Sequence, residues 1–134
     1  MKKSFKRKIA TIMASLSLLS ALSVPVSADN KNFSFNLSTG QSSVTSTYST
    51  KDDNEPQAYV NVKGGNVSKS NYVYFRVYSS KNSSTKYAVS SNAKSTGKGK
   101  VNPKYTVTRK AGSKNYLRIN ASLYNVKVNG TWCS

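Results

Sequence analysis

Asn71-Tyr72-Val73-Tyr74-Phe75-Arg76-Val77-Tyr78 sets the architecture of this 134-residue chain. Val73, Phe75 and Val77 fall on one side of a two-residue period and Tyr72, Tyr74, Arg76 and Tyr78 on the other, as in a β-strand. Both sides are bulky. The pattern predicts a central strand with one dry face and one amphipathic face.

The same period recurs on either side. Phe33-Ser34-Phe35-Asn36-Leu37 and Ala58-Tyr59-Val60-Asn61-Val62-Lys63 alternate cleanly, Ser43 to Thr50 is a weaker strand, and Tyr87-Ala88-Val89 a short one. Tyr105 to Arg109, Tyr116 to Ala121 and Asn125 to Trp132 complete the set. Gly64-Gly65-Asn66 reads as a hairpin turn, Lys110-Ala111-Gly112-Ser113 as another turn, and Ser90 to Asn102 as a loop. Leu117, Ile119 and Ala121 share one parity and Tyr124, Val126 and Val128 the other, so a turn or bulge is expected near Ser122.

No helical apolar spacing follows residue 28, and β-branched and aromatic residues dominate the apolar set. The expected fold is therefore all-β: a small antiparallel β-sandwich, or barrel-like fold, of about seven or eight strands, preceded by a signal-peptide helix. Its expected core is Phe33, Phe35, Val60, Val62, Val73, Phe75, Val77, Val107, Leu117, Ile119, Val126 and Val128.

Residues 1–28 read as an address. Lys2, Lys3, Lys6, Arg7 and Lys8 precede a short apolar run from Ile9 to Val24, and Val26-Ser27-Ala28 follows Pro25. These are the parts of a secretory signal peptide, with Asp29 as the first mature residue. A membrane anchor is the alternative, but the apolar run is short and broken by Ser15, Ser17, Ser20 and Ser23. The expected domain is residues 29–134, released from a Gram-positive cell or retained at its wall.

Composition narrows the chemistry. The chain has 21 Lys and Arg, 4 Asp and Glu, no His and one Cys, for a net charge of +17. Residues 29–134 keep 16 basic and 4 acidic side chains, and from Pro56 to Ser134 there are 14 Lys and Arg and no carboxylate. Without His, the usual proton shuttle of hydrolysis is missing and a Cys/His zinc site cannot be assembled. Asp52, Asp53 and Glu55 share one loop with Lys51 and lack Ca²⁺-loop spacing. Gly64-Gly65 lacks the phosphate-loop pattern. Cys133 has no His to activate it; it is a packed small residue or the site of a disulfide-linked dimer. The expectation is a protein that is not an enzyme and takes no cofactor or metal.

Charge and aromatic rings remain. Tyr72, Tyr74, Arg76 and Tyr78 share one strand face, as do Tyr105 and Arg109, and Tyr116 and Arg118; Lys104 and Lys127 lie in or beside neighbouring strands. A cationic surface with rings holds anions by charge and sugars or headgroups by stacking. An exported cation meets anionic wall polymers and an anionic lipid surface, and no specific nucleic acid partner is expected. The plainer alternative is that Lys-rich strands only guard sheet edges and keep the domain soluble. The excess charge is well above the ~2–8 that solubility needs.

The opening Asp29-Asn30-Lys31-Asn32-Phe33-Ser34-Phe35, the segment Tyr116-Leu117-Arg118-Ile119-Asn120-Ala121 and the closing Gly130-Thr131-Trp132 carry a resemblance. They resemble a family of small secreted β-rich proteins of Bacillus-type bacteria; the resemblance implies no catalytic residue. Size, export and β content are also similar to the lactococcin-972-like bacteriocins, although without a shared motif. The expected role is contact with an anionic envelope, either as a bacteriocin-like antagonist or as a passive wall or matrix protein. A module for a specific protein partner is the third alternative.

Overall fold

The computed structural model describes residues 29–82, 84–122 and 124–134. The signal-peptide reading of residues 1–28 lies outside them. Among the described residues, nine short strands run in the order β1 (Lys31–Leu37), β2 (Ser42–Val44), β3 (Ser49–Thr50), β4 (Tyr59–Gly65), β5 (Val73–Tyr78), β6 (Ala93–Ser95), β7 (Gly99–Val101), β8 (Lys114–Ala121) and β9 (Val126–Cys133). One sheet has the order β1-β9-β4-β7; the other has β2-β8-β5-β6, with β3 also on β8. Every strand pairing is antiparallel, and the two sheets form an all-β sandwich.

Alternation builds the core from both layers. Phe33, Phe35, Leu37, Val60, Val62, Val126, Val128 and Trp132 from one sheet meet Val73, Phe75, Leu117, Ile119 and Ala121 from the other. The Phe33 and Phe75 rings meet edge to face with centroids 5.5 Å apart, joining the layers. Ala58, Val77 and Val89 form a second cluster, capped by Tyr105. The parity change between Ala121 and Val126 is where the chain leaves one sheet for the other.

The opening and closing segments pair with each other. Lys31 lies opposite Trp132 and Phe33 opposite Gly130. A Cβ on Gly130 would sit 2.0 Å from the Asn61 carbonyl oxygen and 2.9 Å from Phe33 Cζ, so a side chain there is excluded by its neighbours on both sides.

Several local expectations are corrected. The Ser43–Thr50 strand is interrupted: β2 and β3 lie on the same side of β8, and between them Thr45 Oγ1 accepts the Leu117 N–H. Ser90 to Asn102 contains β6 and β7, which sequence reading missed because neither has an apolar pair. Tyr105 to Arg109 is not a strand, only an isolated bridge at each of Lys104 and Tyr105. Val107 is half exposed rather than in the core, and Tyr124 is exposed. Tyr87-Ala88-Val89 is a 3-10 turn, Thr85–Tyr87, followed by a bridge from Ala88 to Tyr78.

Gly64-Gly65 is not a hairpin turn. Both residues close β4, just past a bulge at Lys63 against β9. Gly65 has φ +119°, and a Cβ there would fall 2.0 Å from the Lys127 carbonyl oxygen. Glycine is required by the close approach of two backbones.

Candidate functional site

The outer face of the β2-β8-β5-β6 sheet collects side chains that alternation turns away from the core. Tyr74 and Arg76 project from β5, with Tyr72 just before it, and Lys114, Tyr116 and Arg118 project from β8. Register arranges them in rows. Lys94 of β6, Tyr74 and Asn120 lie side by side; Arg76 stands opposite Arg118; Tyr78 stands opposite Tyr116. Same-face residues along a strand repeat at about 7 Å, so the arginine row lies between the Lys94–Tyr74–Asn120 row and the Tyr78–Tyr116 row.

Hydrogen bonds to neutral groups fix the arginines. Arg76 Nε donates to the Ser90 carbonyl at 2.7 Å, and its two terminal nitrogens have no partner among the described residues. Arg118 donates through Nη1 to the Tyr78 hydroxyl and through Nη2 to Ser42 Oγ at 3.0 Å. The lysines lie on the rings. Lys94 Nζ is 3.8 Å from the Tyr72 ring centroid, and Lys114 Nζ is 4.7 Å from that of Tyr48. Tyr72 and Tyr74 pack edge to face, as do Tyr48 and Tyr116.

A shallow cleft of about 490 Å³ continues this face at the β3 end, lined by Tyr48, Tyr116, Lys31, Lys81 and Asp29. Asp29 is already engaged, by Lys31 Nζ at 2.7 Å and the Thr50 N–H at 2.9 Å. These contacts hold its carboxyl below the usual range.

The ten expected contact residues are thus divided. Tyr72, Tyr74, Arg76, Tyr116 and Arg118 come together. Tyr78 points to the same side but is 1 % exposed, with the Arg118 guanidinium over its ring. It supports the face rather than offering a surface. Lys127 is exposed on β9, in the other sheet.

Lys104, Tyr105 and Arg109 belong to the irregular segment before β8. Arg109 is tied to Asn115 Oδ1 through Nε and Nη2, at 3.0 and 2.7 Å, and to the Lys114 carbonyl. Tyr105 packs on the second cluster, and burial pushes its phenol well up, so it stays neutral. Tyr105 and Arg109 line a separate groove of about 670 Å³ with Pro56, Val107, Lys110 and Glu55. Three face residues escaped the sequence reading. Lys94 sits in a segment without apolar alternation, Lys114 beside a turn, and Tyr48 in the gap of an interrupted strand. Register was the missing signal for Lys94 and Tyr48, whereas Lys114 shares the parity of Tyr116 and Arg118 in β8.

Lys51 is buried, with Nζ 2.9 Å from Asp53 Oδ1 and 5.0 Å from the Tyr105 ring centroid. Lys51 holds the Asp53 carboxyl below its usual range. Cys133 is a half-buried free thiol whose pKa burial pushes up. Searches against protein-family models, characterised proteins and solved structures return no match for this chain.

Proposed function

We propose that this is a secreted, cationic, non-enzymatic protein that docks on anionic cell-envelope polymers through the tyrosine–cation face of its five-stranded sheet. The observation that carries the reading is the cross-strand pair Arg76–Arg118, set between Tyr74 and Tyr116 and flanked by Lys94 and Lys114. Planar guanidinium groups match the oxygens of a phosphate or carboxylate, and adjoining phenol rings offer flat surfaces for sugar rings. A linear polyanion with repeating charge would engage several cations at once. The resemblance of the terminal segments to secreted Bacillus-type proteins agrees with an envelope setting.

Binding to purified Gram-positive cell walls, measured by co-sedimentation, tests this. It should weaken steeply as salt rises, because exposed charges are screened over about 8 Å at physiological ionic strength. Lys94→Glu, Arg76→Glu and Lys114→Glu combined should abolish it while the circular dichroism stays unchanged. Salt-insensitive binding, or full binding by the triple variant, overturns the reading. Killing of related strains by the purified protein separates an antagonist from a passive wall protein.

A further inference from the structure

Every residue from Asn32 to Thr50 is uncharged, in a chain with 21 basic residues. This stretch supplies β2, β3 and all of β1 except Lys31, and the fold places these strands along one flank of the sandwich. The other sheet edges are guarded in familiar ways. β7 is three residues long and carries Lys100, β6 is three residues long and carries Lys94, and the β2/β3 edge is interrupted. β1 has none of these protections. It runs seven residues in unbroken register with β9, contains no proline, and has no strand on its other side among the described residues. Its one charge, Lys31, is matched by Asp29 at 2.7 Å. An open cleft of about 250 Å³ lies along the flank between Asn32–Phe35 and Ser43–Thr47.

We propose that this flank is a self-association edge, at which β1 of one copy pairs antiparallel with β1 of a second copy about Ser34. In that register Phe33 meets the partner's Phe35 on the core side, and Asn32 meets the partner's Asn36 outside. Lys31 meets Leu37, so no like charges oppose one another. A second copy is the favoured occupant because the edge is neutral and self-complementary, whereas cationic surface elsewhere repels another copy. The two-fold axis of an antiparallel strand pair is perpendicular to the sheet. Both five-stranded sheets therefore lie on the same side of the joined sheet and turn their tyrosine–cation faces the same way. Resting on the envelope-docking reading, this makes the dimer a bivalent binder, with the second contact made at high effective concentration.

Sedimentation equilibrium of the purified protein over a concentration series, at low and high salt, tests the proposal. A monomer–dimer equilibrium that tightens with salt is expected, opposite in sign to envelope binding. Ser34→Lys places two ammonium groups across the axis and should weaken the dimer by about five-fold or more. With Cys133→Ser as background, Ser34→Cys should cross-link two chains under mild oxidation and Asn36→Cys should not. Monomers throughout, or a dimer indifferent to Ser34→Lys and not trapped by Ser34→Cys, overturns the proposal. Either result leaves salt-sensitive envelope binding standing.

Discussion

Arg76 and Arg118 face one another across the β5–β8 ladder, both on the solvent side of the sheet. Like charges directly opposite one another in a sheet are destabilising. Tethers to Ser90, Tyr78 and Ser42 hold both side chains in position. An anion bound across the pair would offset repulsion between the two guanidinium groups.

That relief should appear as stability. Inorganic polyphosphate added at low salt is expected to raise the melting temperature, because a ligand of the native state shifts unfolding by mass action. Arg76→Gln should remove most of the increase while leaving the melting temperature without polyphosphate equal or slightly higher. An equal increase in the variant would locate the anion elsewhere.

Lys51 and Asp53 form an asymmetric pair, one buried and one half exposed. Asp53→Asn leaves a buried ammonium without its carboxylate and should cost about 1–3 kcal/mol, less than for a fully buried pair. Lys51→Met keeps the bulk and removes the stranded charge, so it should cost less than Asp53→Asn. Urea midpoints of the two variants give the order.

Acid should act through the same carboxylate and through Asp29, both held below the usual range in the folded state. A depressed folded pKa contributes stability that is complete above the unfolded value, about 3.9 for Asp, and is lost as pH falls through the folded value. Stability should therefore decline as pH drops below about 4. The decline should be shallower in Asp53→Asn. An unchanged slope in that variant, by urea titration, would remove Asp53 from the account.

Gly130→Ala drives a methyl group into the Asn61 carbonyl and the Phe33 ring. Overpacking of this kind should cost about 3 kcal/mol and loosen the β1–β9–β4 junction. Faster amide exchange in those strands is the expected signature.

Two valines separate strand sequence from strand structure. Val77 is fully buried and Val107 half exposed. Val77→Ala should cost about 2 kcal/mol, and Val107→Ala less than about 0.5 kcal/mol. Equal costs in thermal melts would contradict this difference in packing.

The sandwich was legible because its main strands obey alternation. Phe33, Phe35, Val60, Val62, Val73, Phe75, Leu117, Ile119, Val126 and Val128 were all expected in the core and all lie there. Local pattern misled where neighbours override it. Tyr-Thr-Val-Thr-Arg has strand parity at 105–109 but no ladder to join, whereas Ala93-Lys94-Ser95 lacks the pattern and pairs with β5. Five of the eight face residues were readable from β5 and β8, since residues two apart share a side. Lys114 shares the parity of Tyr116 and Arg118 and was missed because β8 begins two residues earlier than its sequence pattern suggests; Lys94 and Tyr48 were not readable, because their place depends on which strand lies next to which.

The amino-acid order alone determined an all-β chain, its charge asymmetry and most of its buried apolar side chains. Side-chain parity and composition are local properties, and they persist into the folded state. Tertiary structure decided the rest: the opposition of Arg76 to Arg118, the burial of Tyr78, the placing of Lys127 in the other sheet and the neutral flank at β1. Strand order and register bring together residues far apart in the chain, and no local period encodes them.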